Sequence, residues 1–143
     1  MPVSQMLANA GKEHLPKIIS PRVHAIIDYT VAGTFLLMGG LFFKNGNKRA
    51  SVGAFIIGGA IIGQSLVTDY PGGVADLISF QTHGKIDTGM AGMMASMPDL
   101  LGFKDEPEAK HFRMQGLAEA LVVGMTDWDA GSSEREVQLR RAS

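Results

Sequence analysis

The 143-residue chain contains no cysteine, which excludes disulfides, thiolate metal sites and thiol catalysis. It also has little net charge (−1) and no stripe of lysine or arginine interleaved with aromatics, so a nucleic-acid partner is not expected. We find no nucleophile elbow, phosphate loop or His-Glu-x-x-His pattern. The class of protein that these absences favour is non-enzymatic.

Long uncharged apolar runs dominate what is there. The longest covers residues 50–68, ASVGAFIIGGAIIGQSLVT, and as a helix it is long enough to cross a bilayer core of about 30 Å. Three further helices are predicted to pack beside it, at residues 23–43, 83–103 and 112–128. Short charged turns at 44–49 and 104–110 separate the first span from the second and the third from the fourth, so the helices of each pair must run antiparallel. The sequence therefore predicts an all-α integral membrane four-helix bundle.

Polar segments flank this region. Residues 1–22 form an N-terminal polar or interfacial segment, 23–128 the four spans, and 129–143 a polar C-terminal tail. The N-terminal segment lacks the apolar core of about 7–15 residues that a cleaved signal peptide needs. We therefore expect the first span to act as its own anchor. In the third span, Pro98 should kink or end the helix.

An internal repeat divides the chain into repeat one (20–70) and repeat two (79–128). Each half reads His-x-x-x-Asp, apolar span, charged turn, second span, then Thr-Asp-aromatic. The matching positions are His24 with His83, Asp28 with Asp87, and Thr68-Asp69-Tyr70 with Thr126-Asp127-Trp128. Three correspondences in the same order indicate duplicated helical hairpins.

The parity of the spans predicts where these motifs meet. Each half crosses twice, so both halves begin and end on the same side of the membrane. We therefore expect Tyr70 and Trp128 at headgroup level. A structural polar cluster is expected at that end of the bundle, made of His24, Asp28, Asp69, His83, Asp87 and Asp127.

Two stretches resemble the SPW-repeat family of small bacterial membrane proteins. They are SPRVHAIIDY (residues 20–29) and MPDLLGF (residues 97–103), and the resemblance covers roughly residues 18–128. The chain departs from the family at its name-giving motif, since Met97-Pro98-Asp99 stands where Ser-Pro-Trp is expected. The resemblance implies two tandem hairpins, four spans and a multi-pass protein of the bacterial inner membrane. The family has no settled activity, so the resemblance implies a fold and not a function.

The paired histidines and aspartates have three interpretations. A histidine and an aspartate four residues apart share a helix face, so each carboxylate can hold the histidine of its own helix. The first interpretation is structural capping and pairing between the halves. The second is a cofactor site, with His24 and His83 as axial ligands of haem b, or with His24, Asp28, His83 and Asp87 around a divalent metal. The third is a proton or ion relay.

One carboxylate lies deeper. Glu119 is the charge farthest inside the fourth span, and an intramembrane carboxylate is by default a functional candidate. Arg113 or Lys85 could be its partner.

Glycines punctuate several spans. Gly58, Gly59 and Gly63, together with Gly33, Gly89 and Gly92, are expected to let helices pack closely in lipid.

The expected function is that of an accessory or scaffolding subunit of a larger membrane assembly. Its partners would be the lipid bilayer and other membrane subunits or further copies of itself, and no cofactor is then required. The alternatives are a haem- or metal-binding membrane protein, a small ion- or proton-conducting membrane protein, and a water-soluble helical bundle.

Overall fold

A computed structural model describes residues 15–130 and 139–142. The described ranges are all-helical, with two isolated β-bridges and no strand. The four long helices are α1 (Pro21–Lys44), α2 (Lys48–Leu66), α3 (Phe80–Leu100) and α4 (Ala109–Met125). Residues 1–14 of the predicted N-terminal segment (1–22) and most of the predicted C-terminal tail (129–143) lie outside the described residues.

Each of the first three helices begins at a side-chain cap. Ser20 accepts a hydrogen bond from the amide of Val23 at the start of α1, where Pro21 occupies the first helical turn. Asn47 caps α2 and Ser79 caps α3 in the same way. Such caps satisfy backbone amides that have no partner inside the helix, so these residues set where each helix starts.

The helices form two hairpins with a shared core. A three-residue turn containing Gly46 (φ +88°) joins α1 to α2, and a longer turn containing Gly102 (φ +73°) joins α3 to α4. All four helices supply side chains to one hydrophobic cluster, which includes Phe35, Ile57, Met94 and Phe112. Burial of this cluster holds the hairpins together.

The observed ends of the later helices differ from the predicted spans. The third helix passes through Pro98 but ends at Leu100, and the buried Phe103 follows the turn at Gly102. The fourth helix begins at Ala109 and ends at Met125, so Trp128 lies beyond it. Charged residues lie near the ends of both helices, so the hydropathy of the sequence did not give the exact residues at which the helices begin and end.

Only α1 and α2, among the described residues, are long and apolar enough to cross a membrane. In the most apolar 18-residue stretch of each helix, 28% of the residues of α1 and 44% of those of α2 are buried. Most residues of each stretch are therefore not buried within the chain. The exposed side chains of α1 include the large apolar residues Ile26, Leu37 and Phe43. Length and composition support membrane association of these two helices and are insufficient for α3 and α4.

The glycines fall into two groups. A Cβ on Gly58 would lie 3.0 Å from the Leu36 side chain, and one on Gly116 would lie 2.7 Å from the carbonyl oxygen of Ala91. These two glycines permit close helix packing. Five others face open space and make no close contact between the described helices of this chain: Gly33, Gly59, Gly63, Gly89 and Gly92.

Substitution of Gly116 by alanine should therefore destabilise the fold. The new methyl group would overlap the backbone of α3, and we expect the free energy of unfolding to fall by about 1–3 kcal/mol. Chemical denaturation of the detergent-solubilised protein measures this change.

The matched control is Gly92→Ala, on the open face of α3. It should raise the free energy of unfolding by up to about 1 kcal/mol, because alanine favours the helix and meets no neighbour. Equal losses in both variants would contradict the packing assigned to Gly116.

Candidate metal centre

Two helices from different hairpins bring four polar side chains together. His24 and Asp28 lie one turn apart on α1, and His83 and Asp87 lie one turn apart on α3. All four side chains are buried. Each offers one ligand atom, and these four atoms all lie within 4.8 Å of one another. We refer to these four residues as the quartet.

Each histidine in the quartet contacts both carboxylates. Nε2 of His24 lies 3.0 Å from Oδ2 of Asp87 and 3.4 Å from Oδ1 of Asp28. Nε2 of His83 lies 3.0 Å from Oδ2 of Asp87 and 3.2 Å from Oδ2 of Asp28. The sequence predicted pairing within each helix, but the contacts between helices are equally short. The quartet therefore links the two hairpins.

Two threonines determine which nitrogen of each histidine faces the centre. The Thr68 hydroxyl lies 2.7 Å from Nδ1 of His83 and donates to the carbonyl of Gln64. The Thr126 hydroxyl lies 2.9 Å from Nδ1 of His24 and donates to the carbonyl of Val122. A carbonyl oxygen can only accept a hydrogen bond, so each threonine hydroxyl donates its one hydrogen to the carbonyl. The same hydroxyl must therefore accept a hydrogen bond from Nδ1–H of the histidine. Both Nε2 atoms therefore point into the quartet.

Further donors hold one oxygen of each carboxylate. The Gln64 amide donates to Oδ1 of Asp87 at 2.7 Å, which leaves Oδ2 facing the histidines. Oδ2 of Asp28 accepts from the Tyr70 hydroxyl at 2.8 Å and from Ser65 at 3.4 Å. Such outer hydrogen bonds orient ligands around metal ions.

Tyr70 remains a hydrogen-bond donor. Burial raises the pKa of Tyr70 above its ordinary value, and the neighbouring Asp28 carboxylate raises it further. The phenol therefore keeps its proton and can donate it to Asp28.

Aromatic rings cover the quartet. The ring centroids of Trp128 and Phe80 lie 4.9 and 5.5 Å from that of His24. The ring centroid of Tyr70 lies 5.2 Å from that of His83. Gly84 makes room for this cover, since a Cβ there would lie 2.9 Å from the Trp128 indole. The cover keeps bulk water away from the histidines.

Comparisons with protein-family models, with curated proteins and with solved structures found no match. The resemblance to the SPW-repeat family therefore stays a prediction, and the functional argument rests on the geometry of the site.

The remaining predicted polar residues lie outside the quartet. Asp69 and Asp127 are half-buried beside the two threonines, and it is the threonine hydroxyls that hydrogen-bond to the histidines. Glu119 is buried on α4 and forms no ion pair with a described residue. Its expected partner Arg113 instead lies 3.5 Å from Asp99, across the α3–α4 turn.

Sequence reasoning missed Gln64 and Ser65. Two features of the sequence could have identified them. Gln64 and Ser65 are polar residues within an otherwise apolar run, and Gln64 lies four residues before Thr68, on the same side of the helix. The repeat did not reveal them, because the equivalent positions in the second half are Val122 and Val123.

Replacing Tyr70 by phenylalanine tests the outer hydrogen bonds. Asp28 would lose a donor in a buried site, and we expect the free energy of unfolding to fall by about 1–3 kcal/mol. The measurement is chemical denaturation in detergent.

Tyr29→Phe is the matched control, since its hydroxyl donates to the exposed carbonyl of Gly72 at 2.7 Å. Its loss should cost less than about 1 kcal/mol because water can replace the donor. A cost for Tyr70→Phe no larger than that of the control would show that the Asp28 contact is unimportant.

Proposed function

We propose that this chain is a non-enzymatic, four-span membrane protein whose two duplicated hairpins are joined by a divalent transition-metal ion in the quartet. The observation that carries this proposal is Nε2 of His83. This buried atom meets hydrogen-bond geometry with no group in the described part of the chain, although two carboxylates lie within 3.2 Å. A buried imidazole nitrogen that lies this close to two carboxylates without a well-aligned hydrogen bond to either is placed to share a bound cation with them.

The spacing of the four atoms supports a small ion. Zinc–ligand bonds of about 2.0–2.2 Å place neighbouring ligands of a tetrahedral site about 3.3–3.6 Å apart. The histidine nitrogens lie 3.0–3.4 Å from carboxylate oxygens, with Asp28 presenting Oδ1 to His24 and Oδ2 to His83. One ligand atom from each of the four residues lies within 4.8 Å of the others, so small side-chain adjustments would bring the four around one ion.

Charge supports the same conclusion. Imidazoles that ligate a metal are neutral, so the two carboxylates would then leave a charge of −2, which one divalent cation would balance in this buried site. Two imidazoles with two carboxylates suit zinc, iron, cobalt or nickel better than calcium or magnesium, which prefer oxygen.

A bare ion fits better than haem. Oδ2 of Asp87 lies 3.0 Å from both Nε2 atoms and occupies space that a porphyrin ring would need between the two histidines.

The expected role of the ion is structural. Structural metal sites are closed and take all their ligands from the protein, whereas catalytic sites keep a position open to water or substrate. The quartet supplies four protein ligands under an aromatic cover. A metal ion bound here would link α1 to α3 and would therefore hold the two hairpins together.

Metal analysis of protein purified from membranes in mild detergent tests this proposal. We expect about one zinc ion per chain, and visible absorption bands of tetrahedral cobalt after Co²⁺ substitution. The His83→Ala variant should lose the metal. At a free zinc concentration of about 100 times Kd, the wild type should gain about 2.7 kcal/mol of stability.

His111→Ala is the matched control, because His111 also has a buried Nε2 without a described partner but lies among Phe35, Phe42 and Phe112. It should keep the metal. Circular dichroism establishes that both variants are folded, and Asp87→Asn provides a second loss variant. Wild-type protein that binds neither zinc nor cobalt would exclude the metal centre, and recovery without detergent would exclude the four spans.

A second candidate function, the accessory subunit, is favoured by the outer face of α2. Gly59 and Gly63 lie one turn apart there and face open space, between the exposed side chains of Ile56 and Leu66. A glycine inside a helix costs up to about 1 kcal/mol relative to alanine. Nothing within the described chain compensates for that cost. In lipid, small residues at this spacing let another helix approach closely.

The double variant Gly59→Leu/Gly63→Leu should therefore dissociate the protein from its assembly, as measured by cross-linking in native membranes and native gel mobility. The control is Gly89→Leu/Gly92→Leu on α3, which should leave the assembly intact. A wild-type protein that migrates as a single chain in native membranes would rule out the accessory role.

A further inference from the structure

We propose a binding site for an anionic phospholipid at the end of the α3–α4 hairpin opposite the quartet. A cavity of about 650 Å³ opens there, beside the start of α4. Its lining combines three cations and two carboxylates with apolar side chains. The site is independent of the proposed metal centre, and it rests on the proposed insertion of α4 into the membrane.

The cations lie at the rim of this cavity. Lys104 belongs to the α3–α4 turn, and Lys110 and Arg113 lie on the first turns of α4. Within the described residues, Lys104 and Lys110 form no ion pair. They are therefore available to a phosphate group from outside the chain.

The acidic residues nearby are largely engaged elsewhere. Glu106 accepts a hydrogen bond from the Asn47 amide, and Asp99 lies beside Arg113. Asp105 is the remaining carboxylate in the lining. The cavity lining carries three cations and two carboxylates and so has a net positive charge.

An apolar track continues from the cations along the same face of α4. Met114, Leu117 and Leu121 follow Lys110 at helical-turn spacing, and they are 60%, 65% and 48% exposed. From Lys110 to Leu121 the helix rises about 16 Å, which matches one leaflet of a bilayer core of about 30 Å.

Cations at one end and an exposed apolar track below them match a phospholipid in both chemistry and length. The phosphate would lie against Lys104 and Lys110 at the membrane surface, and an acyl chain would lie along Met114 and Leu117. Basic pockets beside membrane helices bind anionic headgroups in this manner. A soluble anion would use the cations but not the track.

The test counts lipids retained by the full-length protein from mixed micelles, using native mass spectrometry. The probe is phosphatidylglycerol, with phosphatidylcholine of the same acyl chains as the neutral comparison. We expect the wild type to prefer phosphatidylglycerol by about tenfold or more, and K104Q/K110Q/R113Q to lose that preference.

The matched control, K44Q/K48Q, removes charge at the same end of the protein but from the α1–α2 hairpin. It should keep the preference to within about twofold. The conservative K104R/K110R variant should also keep the preference for phosphatidylglycerol, because it retains both positive charges. This result would show that the glutamine variant loses the preference through loss of charge and not through a change of fold.

Soluble glycerol phosphate and the variant Met114→Asn/Leu117→Asn test the apolar track. We expect glycerol phosphate to bind at least about tenfold more weakly than phosphatidylglycerol, and the asparagine variant to weaken phosphatidylglycerol binding alone. Equal binding of the two lipids, equal losses in K44Q/K48Q, or glycerol phosphate binding as tight as the lipid would overturn the proposal.

Discussion

The structure depends on how four buried polar side chains satisfy one another between two hairpins. His24, Asp28, His83 and Asp87 would each be costly to bury alone, and together they can form a neutral group. Because each histidine contacts carboxylates from both α1 and α3, neither hairpin can complete this group by itself. The quartet therefore couples the polar chemistry of the site to the docking of the hairpins.

The surroundings of the quartet show how it is kept in one arrangement. Thr68 and Thr126 orient the two imidazoles through equivalent hydrogen bonds, whereas the carboxylates are held unequally, by Gln64 on one side and Tyr70 on the other. The histidine half of the site is thus nearly symmetric and the carboxylate half is not. Asp87 consequently directs Oδ2 alone at both histidines, whereas Asp28 presents Oδ1 to His24 and Oδ2 to His83.

The two ends of the protein differ in their chemistry. One end closes a polar group beneath aromatic rings, and the other exposes lysines above an apolar helix face. Lipid and metal would therefore bind at sites separated by the length of the helices. The outward-facing Gly59 and Gly63 of α2 lie on a third surface, toward the quartet end of that helix. The three surfaces do not overlap, so a helical partner, a lipid and a metal could bind the same chain together.

The amino-acid sequence by itself determined the all-helical class, the approximate helices and the order of the polar motifs. Capping residues and apolar runs are local signals, and the short turn at Gly46 forces antiparallel neighbours. Only the tertiary structure decided which carboxylate meets which histidine, that Gln64 belongs to the site, and that Gly59 faces outward. The reason is that α1 and α2 are apolar on nearly all sides, so periodicity cannot set the rotation of each helix. That rotation follows from packing between hairpins, and it selects the residues that face the quartet.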